Sequence, residues 1–226
     1  MADETLSRKR TETRTRIIQA AFSLFAERGI MASSVEQICD RAGYTRGAFY
    51  SNFESKDELC IALLQGEADF YTAAFGRGVA AAAAHFAAHP EDRQLPPYEL
   101  IRVALRCVLA AFVVDDQSPA DVWSQTTLFH LEMGLYAARE PSLRQAYAEQ
   151  QTGWVAPLDH LLDYVFGLCG LRLTISPAEA ANVLAAMFQT AGRNALTSGA
   201  SQEDVIGAMS ERLLLAARCI SEPIVG

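Results

Sequence analysis

The chain reads as all-α: an N-terminal three-helix helix-turn-helix domain (residues 1–55), then a larger helical domain (residues 56–226). Three observations predict this. Apolar residues recur at helical spacing along most of the chain, and no stretch shows the strict alternation of a half-buried strand. Serine, threonine and proline starts alternate with glycine stops at helix-length intervals. The 226 residues, half of them hydrophobic, suffice for one small and one larger core.

The first helix is expected from about Arg10 to Glu27. Ile17, Ala21, Leu24 and Phe25 share one face, and Gly29 ends it. Ser34-Val35-Glu36-Gln37 fits a capping box, in which the serine oxygen accepts an orphan amide and the glutamine reaches back. The helix it opens carries Val35, Ile38 and Ala42 on one side and stops at Gly43, a residue that enters the left-handed conformation cheaply. Thr45 is placed to cap the next helix, which begins Arg46-Gly47-Ala48. So short a helix does not persist alone, because nucleation is costly. Phe49 and Phe53 must anchor it, which holds its polar face rigidly outward. Ser55-Lys56-Asp57-Glu58 fits a second capping box. Two short helices joined by a glycine-containing turn are the signature of a DNA-binding helix-turn-helix.

Further along, a helix from Lys56 carries Leu59, Leu63, Phe70 and Phe75 toward the run Ala80–Ala84, and Pro90 and Pro96-Pro97 mark a break. Helices follow through Leu100 to Val114, from Ser118-Pro119 to about Arg139, and from Pro141 to about Gly167. Ser176-Pro177-Ala178-Glu179 starts another, with proline at its first position. The last spans about Gln202 to Ile220. Of the final pair, one helix presents Ala180, Val183, Leu184, Met187, Phe188, Ala191 and Ala195, the other Val205, Met209, Leu213, Ala216 and Ile220. Such a hairpin either closes an internal core or pairs with its twofold mate as a four-helix bundle.

Charge separates the two parts. The net charge is −8, yet residues 1–60 hold nine Lys/Arg against nine Asp/Glu, so all the acidic excess lies beyond them. Arg8, Lys9, Arg10, Arg14 and Arg16 face a single acid, Glu12, in the first helix. A basic edge beside a helix-turn-helix is suited to neutralising phosphates. The polar start Met1-Ala2-Asp3-Glu4-Thr5 is unlike a secretory signal, and the longest apolar stretch, Val103 to Val114, is interrupted by Arg106 and too short to span a bilayer. Five scattered cysteines without a CxxC pair suit a reducing cytoplasm and buried apolar roles.

These residues resemble the DNA-binding domain of the TetR family of bacterial repressors. The resemblance runs from Ile17 to Gly29, through Ser34–Ile38 and Ala42–Tyr50, to Phe53 and Ser55–Leu59, and fades beyond about Leu64. It implies a homodimer formed through the last two helices, bound to double-stranded operator DNA. It also implies an apolar pocket in the larger domain for a small-molecule effector. Dimerisation has a mechanical reason, since two recognition helices one turn of DNA apart read both halves of a palindrome.

Arg46, Gly47 and Ala48 sit where side chains meet base edges: arginine reads guanine, and the small residues permit close approach. Tyr50, Asn52 and Lys56 match family positions that hold phosphates, and Thr45 and Ser34 join them. Tyr44 suits either a phosphate contact or packing on the turn. For the effector pocket the candidates are Trp123, Phe129, His130, Met133 and Tyr136 on one helix and Trp154 on the next, a stripe that equally describes plain core. His85 and His89 stand at i, i+4 without an evident third metal ligand, so neither metal nor cofactor is expected. No GxSxG, glycine-rich phosphate loop or nucleophile–base pair suggests an enzyme. The rival to a ligand-responsive repressor is an effector-independent DNA-binding architectural protein.

Overall fold

The computed structural model describes residues 2–112, 119–153, 155, 158–198 and 202–224, and its helices are α1 (Ala2–Arg28), α2 (Val35–Ala42), α3 (Arg46–Tyr50), α4 (Lys56–Ala88), α5 (Pro97–Ala110), α6 (Pro119–Arg139), α7 (Pro141–Gly153), α8 (Leu158–Leu168), α9 (Pro177–Ser198) and α10 (Gln202–Ile220). A 3₁₀ turn, Pro90–Gln94, links α4 to α5. Among the described residues no helix is long and apolar enough to cross a membrane.

Two departures from the sequence reading concern short elements. The single helix expected from Pro141 to Gly167 is two, α7 and α8. Two three-residue strands also form, β1 (Leu171–Leu173) and β2 (Ser221–Pro223), paired antiparallel with Arg172 opposite Glu222. Strands this short offer no alternation to read, and their pairing spans fifty residues. Gly170, at φ 70°, turns the chain out of α8 into β1.

The chain divides into two compact units. The first comprises residues 1–67 and 125–150, so the helix-turn-helix packs with the start of α4, most of α6 and α7. Its core joins Ile17, Leu24 and Phe25 of α1 with Ile38, Phe49, Phe53 and Leu59, and with Phe129 and Met133 of α6. Full burial of a side chain of this size contributes about 1.5–3 kcal/mol. That is enough to hold a five-residue helix which could not nucleate by itself.

The second unit comprises residues 68–124 and 151–226. Phe112 lies 5.8 Å from Tyr71, 5.0 Å from Phe75 and 5.5 Å from Phe188, ring centre to ring centre. α9 begins with a capping box, Glu179 N donating to Ser176 Oγ while Ser176 N donates to the Glu179 carboxylate. At Gly78 of α4 an added Cβ would stand 2.7 Å from Val108 Cα, so α4 and α5 approach closer than any side chain there allows. The apolar stripes of α9 and α10 are largely used within this unit: Ala180, Phe188, Ala191, Val205, Met209, Leu213, Ala216 and Ile220 are all buried.

Candidate functional site

The α2–α3 segment is fixed by its own caps. Ser34 Oγ accepts from Gln37 N at 3.3 Å and Ser34 N donates to Gln37 Oε1 at 2.9 Å. Gly43, at φ 73°, closes α2, and Thr45 Oγ1 accepts from Ala48 N at 3.2 Å. At the far end Asn52 Nδ2 donates to Ala48 O, and Arg10 of α1 donates to Ser51 O. Arg14 lies over the Phe53 ring at 4.8 Å. Part of the basic edge of α1 is thus tied to the end of α3. α1 and α2 are joined by Arg41 and Glu27, whose two-pronged contact is the main reason the Glu27 carboxyl falls below its usual range.

What α3 leaves outward is Arg46, Gly47, one side of Ala48 and Tyr50, the last 48 % exposed. Arg46 Nη1 is 2.7 Å from Glu36 Oε1 of α2, and its guanidinium lies 5.9 Å from the Tyr50 ring centre. Tyr50 first and Glu36 second raise the Arg46 pKa, so it is a permanent cation. At Gly47 an added Cβ would meet only Thr45 Oγ1, at 3.7 Å. Nothing inside the fold therefore requires a glycine there.

Other expected DNA contacts are distributed differently. Ser34 and Thr45 are exposed at their caps, while Tyr44 and Asn52 are half-buried, Tyr44 packing on the core. Lys56 departs most from an open phosphate contact. Its ammonium donates to Ile30 O at 2.9 Å and Ser33 O at 3.2 Å, and lies 5.4 Å from the Tyr136 ring centre. It is a bracket inside the first unit.

Around that bracket α6 and α7 meet the helix-turn-helix. Glu132 Oε2 accepts the Ile30 amide at 3.3 Å, and Tyr136 and Ser142 each donate to the Asp57 carboxylate. Glu67 is buried 3.3 Å from His130 Nε2, and among the described residues no hydrogen bond reaches either of its oxygens. Burial pushes Glu67 well above the carboxylate range and His130 down to about 4.

The second unit contains a partly open cavity of about 110 Å³. Phe75 and Val79 of α4 line it, with Ile101, Leu105 and Val108 of α5, Leu161 and Val165 of α8, Leu184, Ala185 and Phe188 of α9, and Leu213 of α10. None of the expected pocket residues is among these. Phe129, Met133 and Tyr136 belong to the core of the first unit, and His130 faces Glu67. Trp154 and the Trp123 side chain lie outside the described residues. The α6 stripe is core because the helix-turn-helix covers it. The cavity is lined by ordinary aliphatic and aromatic residues spread over five helices, a pattern that one helix at a time does not signal.

Residues 17–63 match the family model of "Bacterial regulatory proteins, tetR family". Over these residues the chain is similar to the TetR family. Among curated TetR-like relatives, the HTH-type transcriptional repressor KstR2 of Rhodococcus jostii is 41% identical over 56 residues, which is 25% of this chain and 28% of that protein. The HTH-type transcriptional activator FasR of Mycolicibacterium smegmatis is 40% identical over 60 residues, 26% and 27% of the two chains. The chain thus matches little more than a quarter of the length of these relatives. The fold likeness extends further: the structure of NemR from E. coli aligns over 94% of this chain and 100% of its own, with a TM-score of 0.63 at 19% identity.

Proposed function

We propose that this TetR-family protein is a ligand-responsive transcriptional repressor that binds a palindromic operator as a homodimer. A small, largely apolar effector releases it. DNA binding is assigned to residues 1–55, and effector binding and dimerisation to residues 56–226. The observation carrying this reading is the outward face of α3. A five-residue helix clamped at both ends offers a cation, a residue without a side chain and a tyrosine, at the position where major-groove readers contact bases. Arg46, Gly47 and Ala48 take the base edges. Tyr50, Thr45, Ser34, Tyr44 and Asn52 take the backbone, and Lys56, already holding two carbonyls, offers it at most its remaining donor.

Dimerisation through α9 and α10 uses their outer faces, where Val183 and Leu215 stay exposed, because the wider stripes are consumed internally. The cavity of the second unit supports the effector part of the reading. A ligand releases DNA only by binding the two conformations unequally. Duplexes selected from random and genomic pools by the purified protein test the proposal. An enriched inverted repeat, bound by a dimer and released by some small molecule, is the expected result. Sequence-indifferent binding that no compound weakens would favour the architectural alternative.

A further inference from the structure

We infer that the effector is an uncharged hydrocarbon of about one ring, held in the cavity of the second unit by packing alone. This rests on the regulatory reading above and adds the chemistry of the ligand. Among the described residues the lining is wholly apolar, with side chains from α4, α5, α8, α9 and α10. These side chains offer no donor or acceptor, so a carboxylate, ammonium or hydroxyl buried among them would lose its water and gain no partner. A purely apolar guest meets no such penalty and removes its own surface from water as well as that of the wall.

Size narrows the class further. Cavities of about 150 Å³ lined by Leu, Ile and Phe stay dry and bind benzene or xenon. At about 110 Å³ this cavity suits the same order of guest, an unsubstituted ring or a short branched alkane. Phe75 and Phe188 supply aromatic edges and faces, while Ala104, Ala185 and Ala217 leave the room. Because five helices share the lining, a guest tightens all of them at once, including the α9–α10 hairpin.

The test uses the full chain. Benzene, toluene and cyclohexane are titrated calorimetrically and by thermal shift against benzoate, benzylamine and octanoate, and xenon is followed by its own NMR shift. The hydrocarbons and xenon should bind saturably and raise Tm, with the charged compounds at least ten-fold weaker. Octanoate separates a free hydrocarbon from the tail of an amphiphile. Ala185→Leu should abolish the titration. Leu161→Ala, which enlarges the space, should move the preference from benzene toward naphthalene. Equal binding of charged analogues, no saturable hydrocarbon binding, or titrations indifferent to both substitutions would overturn the inference. So would hydrocarbon binding that leaves the affinity for the selected duplex unchanged. Failure to bind any duplex would instead overturn the regulatory reading, and the titration would still report on the cavity.

Discussion

Arg46 Nη1 lies 2.7 Å from Glu36 Oε1, so the cation that leads α3 is held by a carboxylate on the helix before it. In the proposed complex a base edge must take Arg46 from Glu36, whose charge also repels the nearby phosphates. Glu36→Gln should therefore tighten duplex binding a few-fold and blur discrimination at the base pair read by Arg46. Arg46→Ala should weaken the selected duplex by about ten-fold or more while sparing random DNA. Fluorescence anisotropy on both duplexes decides; equal losses on each would remove Arg46 from the base contacts.

Gly47 separates the demands of fold and function. The space around it accepts a methyl group, and alanine is the better helix former by about 0.5–1 kcal/mol. Gly47→Ala should raise thermal stability slightly and weaken duplex binding. A variant that binds as well as the parent would show that no groove atom approaches this backbone.

Lys56 should behave as a structural residue. Its ammonium satisfies the carbonyls of Ile30 and Ser33 between α1 and α2. Lys56→Met keeps the aliphatic stem yet should cost about 1–3 kcal/mol, the range for orphaning partly buried acceptors of a charged donor. Urea unfolding measures this. If stability holds and only the salt dependence of DNA binding flattens, the lysine serves phosphate instead.

The Glu67–His130 pair predicts a pH dependence of stability. Folding raises the Glu67 pKa from 4.5 and lowers that of His130 from 6.5 to about 4, burial being the cause in each case. Tyr147 of α7 also faces Glu67, and burial first and Glu67 second push its pKa upward. Between pH 4.5 and 6.5 the two slopes oppose: the unfolded histidine binds a proton that the folded one refuses, and the folded glutamate keeps one that the unfolded chain releases. Above pH 6.5 only the glutamate acts, and stability falls with rising pH by up to about 1.4 kcal/mol per unit until its folded pKa is passed. Glu67→Gln should flatten that decline in urea midpoints above pH 6.5. The same slope in both proteins would clear Glu67 of the effect.

How far these features were readable follows from their range along the chain. The Ser34–Gln37 box, the Gly43 turn and the Thr45 cap each involve residues within four positions, and all three appear as expected. The Ser55 box holds in part: Glu58 N donates to Ser55 Oγ, but the Glu58 carboxylate turns to Glu54 N. What was missed is long-range. Glu132 and Ile30 meet across 102 positions, and the cavity needs five helices at once. The aromatic stripe of α6 was visible from its spacing, but spacing does not say what covers it. Phe129, Met133 and Tyr136 are packed in the core of the first unit and do not line the cavity of the second.

The absent side chain at Gly78 has an outcome beyond packing. Val79 and Val108, beside this close approach of α4 to α5, also face the cavity, so a lone hydrogen atom gauges the bore of the chamber. A methyl group at that point would wedge its walls apart and admit bulkier guests. The chemistry of the proposed site is thus adjustable from a position outside its lining.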